Sequence, residues 1–244
     1  MATKPKIIVL DDDPTGSQTV HSCLLLTRWD VETLRLGLQD DAPIFFVLTN
    51  TRSLTPDKAA AVTREVCHNL KLALAAENIE DFLIVSRSDS TLRGHYPIET
   101  DVIAEELGPF DAHFLVPAFF EGGRVTRDSV HYLIIDGVPT PVHETEFARD
   151  SVFGYTHSYL PEYVEEKTKG RILALAVERF LLSDIRSGTD ITNNFSTLDR
   201  LMYLQDDRCV VVDAETQDDL NRFATNVLNA ASQGKRFLFR SAAS

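Results

Sequence analysis

Five segments of this chain run from a short apolar stretch directly into a cluster of small, acidic or basic residues. Lys6 to Leu10 leads into Asp11-Asp12-Asp13-Pro14-Thr15-Gly16, Ile44 to Leu48 into Thr49-Asn50-Thr51-Arg52, and Phe82 to Val85 into Ser88 to Gly94. His113 to Val116 is followed by Pro117 to Arg124, and Cys209 to Val212 by Asp213-Ala214-Glu215-Thr216. Short β-branched and leucine runs of this kind suit strands buried on both faces, as in a parallel sheet. The carboxyl ends of such strands share one edge, and ligands bind in the crevice outside them. The polar clusters therefore belong to one rim.

The segments between the runs read as helices. Asp30 marks the first. Thr55-Pro56 supplies an N-cap position followed by proline at the first helical residue. Val62, Val66, Leu70 and Leu74 recur every four residues, which predicts a helix over Pro56 to Glu77. Pro97 to Leu107, a stretch near Glu178 to Arg186, and Thr216 to Ala231 complete the helices, while Arg171 to Val177 and Arg236 to Phe239 read as further strands. Tyr132 to Val142 holds two extended runs around Asp136-Gly137, a strong hairpin signal. The expected fold is α/β: an open, mainly parallel, Rossmann-like three-layer sheet with an inserted hairpin and loop region over about residues 121–158. The tail Arg240-Ser241-Ala242-Ala243-Ser244 follows the last strand at once, as at a domain boundary.

Charge narrows the partners. With 24 lysines and arginines against 37 aspartates and glutamates, the net charge of −13 offers no basic stripe for nucleic acid or an anionic membrane. No apolar run approaches the roughly 18 residues of a membrane span, and Met1 to Lys6 lacks the apolar core of a signal peptide. Cys23, Cys67 and Cys209 are far apart without a C-x-x-C pair, in keeping with reduced thiols. The chain reads as cytoplasmic.

Three consecutive aspartates leaving a strand bring carboxylates together, at a cost in repulsion unless a cation or proton sits between them. Mg²⁺ at Asp12 and Asp13 is one reading, and an Asx-rich turn is the other. Gly16 permits close backbone approach, and Thr15, Ser17 and Gln18 add hydrogen-bond donors. In the third cluster Asp89 offers an acceptor, Ser90 and Thr91 donors, and Arg93 a guanidinium able to grip a carboxylate or to pair with Asp89. Asn50 and Arg52 leave the second strand, and Arg124 follows Gly122-Gly123, so arginines converge on the rim to meet a small anion. Asp11-x-Asp13-x-Thr15 also satisfies the start of an aspartate-nucleophile phosphatase, with Asp11 attacking phosphorus and Asp13 as acid/base. Neither G-x-x-x-x-G-K-[ST] nor G-x-G-x-x-G occurs, so the sequence shows no nucleotide cradle.

Taken in order, Asp12-Asp13-x-Thr15-Gly16, Asp89-Ser90-Thr91-Leu92-Arg93-Gly94, Pro117-Ala118-Phe119 with Gly123-Arg124, and His143-Glu144-Thr145-Glu146-Phe147-Ala148-Arg149-Asp150 resemble the N-terminal, substrate-binding domain of the four-carbon acid sugar kinase family. The branch labelled type III effector, Hrp-dependent, is the most similar. The resemblance spans nearly the whole chain, 1–244. It implies an ATP-dependent kinase acting on a hydroxyl of a tetronate-type acid, with ATP and Mg²⁺ handled by a C-terminal nucleotide-binding domain, in cis or in trans, that this chain lacks. Asp12 or Asp13 would then accept the hydroxyl proton or hold Mg²⁺. Thr15, Gly16, Asn50, Arg52, Asp89, Ser90, Thr91, Arg93, Gly94, Arg124, Glu144 and Arg149 would bind substrate, with Arg52, Arg93 and Arg124 on its carboxylate. A homo-oligomer is compatible with this reading. Family members commonly show Leu-Thr-Gly-Ala in place of Pro14-Thr15-Gly16-Ser17, lysine in place of Arg87 and asparagine in place of His95. A stand-alone binding module or effector without catalysis is the alternative of another class.

Overall fold

The polar clusters share an edge because the strands that carry them all run the same way. The computed structural model describes residues 5–188 and 195–243, without the side chains of Gln18 and Thr19, so the donor expected of Gln18 lies outside the described residues. In chain order the elements begin with β1 (Lys6–Asp11), β2 (Leu25–Leu26), α1 (Val31–Gln39), β3 (Ile44–Leu48), α2 (Pro56–Ala76), β4 (Phe82–Arg87), α3 (Ile98–Leu107) and β5 (Ala112–Val116). They continue with β6 (Arg124–Arg127), β7 (Val130–Ile135), β8 (Val138–Pro141), α4 (Leu160–Lys167), β9 (Glu178–Phe180) and α5 (Leu182–Ser187). Last come α6 (Thr197–Tyr203), β10 (Arg208–Val212), α7 (Gln217–Ser232) and β11 (Phe237–Ser241).

Eight strands form one sheet in the order β2-β3-β1-β4-β11-β5-β10-β9. Every pairing in it is parallel. Strand alternation sends Ile8, Leu10, Phe45, Val47, Ile84 and Leu238 to the face covered by α1, α2 and α3. Phe114, Val116, Val210, Val212 and Phe237 point the other way, under α5, α6 and α7. Leu115, Cys209 and Val211 meet α4 and the insertion through Leu160, Tyr163 and Val142. The result is the three-layer α/β architecture expected from the runs.

Local signals explain most boundaries. Asp30 caps α1 by accepting from the Thr33 amide, Pro56 opens α2, and Thr216 with Asp219 forms a capping box at α7. Asp136 and Gly137 both take positive φ, 50° and 81°, the mirror-image turn that matches strand twist between β7 and β8. The insertion is more than a hairpin. Arg124–Arg127 pairs antiparallel with β7, making a three-stranded sheet, and Thr126 bridges to Ala214 at the rim.

β2, α4 and α6 have no counterpart in the sequence reading, and one further stretch contradicts it. Arg171 to Val177 is not a strand: Ala174–Ala176 is a 3₁₀ turn, with Leu173 and Leu175 exposed, and the strand is Glu178–Phe180. An edge strand needs partners on one side only, so charged Glu178 and Arg179 are tolerated there and the apolar run is not required. The helix accordingly starts at Leu182 rather than near Glu178.

Candidate functional site

The ends of β1, β3, β4 and β11 meet in a buried polar cluster that opens into a cleft. Asp11 is the last residue of β1 and fully buried. Its Oδ1 lies 3.4 Å from both the Asp13 amide and Arg87 Nη1, and its Oδ2 has no partner among the described residues. Burial pushes this carboxyl up to about 6 despite the Arg87 guanidinium. Gly16 is required beside it, because a Cβ there would stand 2.0 Å from both carboxylate oxygens. With no exposed surface, Asp11 has no access to a phosphate, which removes the aspartate-nucleophile scheme.

Asp12 is 2% exposed and its two oxygens are committed: Oδ1 to Arg52 Nη2 at 2.6 Å, Oδ2 to the Ser88 hydroxyl at 2.5 Å. Burial and the nearby Glu99 raise its pKa, while Arg52 and Arg240 oppose them. Asp13 is the more accessible neighbour. It accepts from the Thr15 amide at 2.9 Å and from the Thr15 hydroxyl, closing an Asx turn, and lies 3.5 Å from Arg52 Nη1. Those Thr15 bonds keep its carboxyl below the usual range although partial burial works the other way.

The cation expected between Asp12 and Asp13 is thus the Arg52 guanidinium. Mg²⁺ does not fit there: the carboxylate oxygens of Asp12 are taken, and Arg52 and Arg87 would repel a second cation. No group of three potential metal-ligating side chains occurs among the described residues.

The loop after β4 is held from inside. Asp89 Oδ2 accepts from Arg93 Nε at 2.9 Å and from Thr91 through its amide and hydroxyl. Against the cost of burial, these bonds lower its pKa. Arg93 also stacks on Phe147, 4.9 Å from the ring centre, so it anchors the loop rather than standing free. Ser90 is tied down by its carbonyl, which accepts from His131 Nε2 at 2.8 Å, while the Thr126 hydroxyl meets His131 Nδ1 at 2.9 Å. Burial holds His131 down to about 4, so it stays neutral and Nε2 carries the proton.

The cleft itself measures ≈ 170 Å³. Arg52, Arg87 and Arg124 line it with Thr15, Asp89, Ser90 and Phe119. Arg124 donates to the Gly122 carbonyl and faces the Phe119 ring at 5.7 Å, but among the described residues it has no ion pair, and its buried Nε has no partner. Asn50, exposed with φ of 53°, precedes the 3₁₀ turn Thr51–Ser53 that carries Arg52, with no capping bond from its side chain. Gly94, at φ 118°, backs the Asp12, Ser88 and Arg240 group, where a Cβ would lie 2.4 Å from Ser88 Oγ. Glu144 and Arg149 sit exposed on the 3₁₀ turns Val142–Glu144 and Glu146–Arg149 and do not line the cleft.

Two participants were not visible as such in the sequence. Arg240 on β11 is 5% exposed and donates to Ser86 Oγ, Glu99 Oε2 and Ser88 Oγ, each at 2.7 Å. Glu99 also accepts from Thr51 Oγ1 at 2.5 Å. The available signal for Arg240 was a lone cation at the end of an apolar strand. Glu99 looked like an ordinary first-turn acid of α3.

The cleft lies at the carboxyl edge of a parallel sheet, where such folds bind their ligands, and is rich in guanidinium and hydroxyl groups. The chain belongs to the family of sugar-binding N-terminal domains, whose match covers residues 7–244. It is 25% identical over 226 residues to a D-erythronate kinase of Heliobacterium modesticaldum, covering 89% of this chain and 47% of the relative. To a D-threonate kinase of Bordetella bronchiseptica it is 29% identical over 165 residues, 64% of this chain and 38% of that one. The chain therefore spans half or less of the length of these curated relatives. A crystal structure from Bordetella bronchiseptica, a domain of unknown function with bound citrate in a domain-swapped dimer, superposes with a TM-score of 0.66 at 25% identity, over 98% of this chain and 54% of that one. Among the described residues, no helix is long and apolar enough to cross a membrane.

Proposed function

We propose that this chain is the acid-binding half of an ATP-dependent kinase that phosphorylates a hydroxyl of a four-carbon sugar acid. The observation that carries the proposal is Arg124, a half-buried guanidinium on the cleft wall without a carboxylate partner among the described residues. Arg52 is already paired with Asp12, and Arg93 with Asp89, so Arg124 is the cation left for the substrate carboxylate. Arg87, beside the half-satisfied Asp11, adds positive potential. Asp89, Ser90 and Thr15 line the cleft and would meet the hydroxyls.

The kinase names of the relatives support the reaction class, and the citrate of the Bordetella structure supports a carboxylate ligand in this fold. ATP, with its Mg²⁺, supplies the phosphoryl group from a C-terminal domain in cis or trans. This chain orients the acid, shields it and accepts a proton. Asp13, accessible where Asp12 is not, receives that proton; its low pKa suffices because phosphoryl transfer depends mainly on positioning and charge stabilisation.

Calorimetry of residues 1–244 with D-erythronate, D-threonate and neutral erythritol tests the reading. One of the acids binds and erythritol does not. Arg124→Gln weakens the acid by about 10- to 100-fold, the 1.5–3 kcal/mol of a hydrogen bond to a charged group. Equal binding of erythritol, or an unaffected Arg124→Gln, overturns the assignment.

A further inference from the structure

We propose that Arg240 is a positioning residue for the cleft, acting through Ser88 and Asp12 to fix the guanidinium of Arg52. A serine hydroxyl has one hydrogen to give. Arg240 Nη2 donates to Ser88 Oγ at 2.7 Å, so Ser88 must give its own hydrogen onward, and the acceptors in reach are Asp12 Oδ2 at 2.5 Å and the Arg93 carbonyl at 3.1 Å. The carboxylate is nearer and charged, and it takes the hydrogen. With Oδ2 so held, Oδ1 of Asp12 faces Arg52 Nη2 at 2.6 Å, and Arg52 Nε lies 3.3 Å from Oδ2. Arg52 lines the cleft.

At the other end, Glu99 in the first turn of α3 fixes Arg240 by accepting from Nη1 at 2.7 Å, and Ser86 Oγ receives a second bond from the same nitrogen. The sequence of contacts Glu99, Arg240, Ser88, Asp12, Arg52 therefore joins α3 and β11 to the ends of β4, β1 and β3. Gly94 closes the group: a Cβ there would meet Ser88 Oγ, Arg240 Nη2 and Asp12 Oδ2 at 2.4, 2.7 and 3.0 Å. Five elements converge on one orientation of one cleft-lining cation.

A buried ion pair serving stability alone is replaceable by uncharged side chains of similar volume, whereas deleting one partner leaves an uncompensated charge. That difference separates positioning from a purely structural role. The effect on Arg52 stands by itself; its consequence for ligand binding rests on the acid-binding reading above.

The experiment combines ¹H–¹⁵N spectra of the arginine Nε–H groups, with Arg52 assigned by Arg52→Lys, thermal melts, and titration with D-erythronate and D-threonate. Arg240→Met lowers Tm sharply. The double variant Glu99→Gln with Arg240→Met recovers most of that loss, yet the Arg52 Nε–H signal moves to the position of a solvent-exposed arginine and acid affinity stays at least tenfold below wild type. Arg240→Lys, keeping the charge but not the fork, falls between. An unchanged Arg52 signal in the folded double variant, or recovery of affinity together with Tm, overturns the proposal. A displaced Arg52 signal with no acid bound by the wild type keeps the positioning role and removes the acid-binding reading instead.

Discussion

Replacing Asp11 by asparagine should flatten part of the pH dependence of stability, and the size of the effect follows from how Asp11 is held. Its carboxylate is fully buried, makes two long contacts at 3.4 Å and, among the described residues, leaves Oδ2 without a partner. Burial raises its pKa from 3.8 to about 6. At 1.36 kcal/mol for each pH unit, ionising this group in the fold costs about 3 kcal/mol more than in the unfolded chain. The folded pKa lies above the unfolded one, so the stabilising contribution of the protonated group is fully present below about pH 3.8 and is lost as pH rises through about 6. Asparagine carries no charge. Its amide in place of the unpartnered oxygen adds a pH-independent penalty of about 1–3 kcal/mol. The stability of Asp11→Asn minus that of wild type should therefore climb by about 2–3 kcal/mol between pH 4 and pH 8, read by urea denaturation at matched ionic strength. Asp213, also pushed up to about 6 by burial, is present in both proteins and cancels. A difference that stays flat or falls with pH would show Asp11 ionised and well paired with Arg87, and would refute the reasoning.

Gly94→Ala sets a Cβ at φ 118° against Ser88 and Arg240; strain of about 1–3 kcal/mol predicts a Tm lower by roughly 3–10 °C and weakened acid binding, checked by scanning fluorimetry and calorimetry. Asp12→Asn removes the buried carboxylate paired with Arg52, while Arg240 keeps Glu99, and should cost about 3–5 kcal/mol in urea denaturation. Asp13→Asn, more accessible, should cost under about 1 kcal/mol yet abolish phosphorylation in the protein that includes the nucleotide-binding domain, measured as ADP release. Residues 1–244 alone should show no saturable ATP binding by calorimetry and no turnover until that domain is added; tight ATP binding by this chain would overturn the division of labour.

The sheet was legible because buried parallel strands announce themselves as uninterrupted apolar runs, and the rim because each run ends in polar residues. Strand order was not. Nothing local in Phe237–Ser241 says that the last strand enters between β4 and β5, so Arg240 read as part of a tail rather than as the centre of the polar cluster. The short β6 escaped for a related reason: Arg-Val-Thr-Arg has little strand character, and its pairing is decided by β7 across a turn. Arg93 shows the opposite limit. Its spacing from Asp89 fitted both a free substrate-binding cation and an internal ion pair, and the choice depended on Phe147, more than fifty residues away, which offers it a ring to lie on.

The place of β11 also bears on why the site can hold so many charges. β1 to β4, with α1 to α3, form one side of the sheet, and β5, β10 and β9, with α5 to α7, the other, each with its own apolar cluster. Asp12, Arg52 and Ser88 come from the first side, Phe119 and Arg124 from the second, and β11 is the seam, its Ser241 carbonyl accepting from the Ser88 amide at 2.9 Å. A cation on that seam can reach both Glu99 on α3 and Ser88 on the rim, so that Asp12 and Glu99 each have a guanidinium and a hydroxyl neighbour before any ligand arrives. Arg124, on the other side of the seam, stands outside that arrangement. Asp11, Asp12, Asp89 and Glu99 each have a guanidinium within 3.4 Å, whereas Arg124, contributed from beyond β5, has no ion pair among the described residues, and in the proposed function it is the cation that meets the ligand.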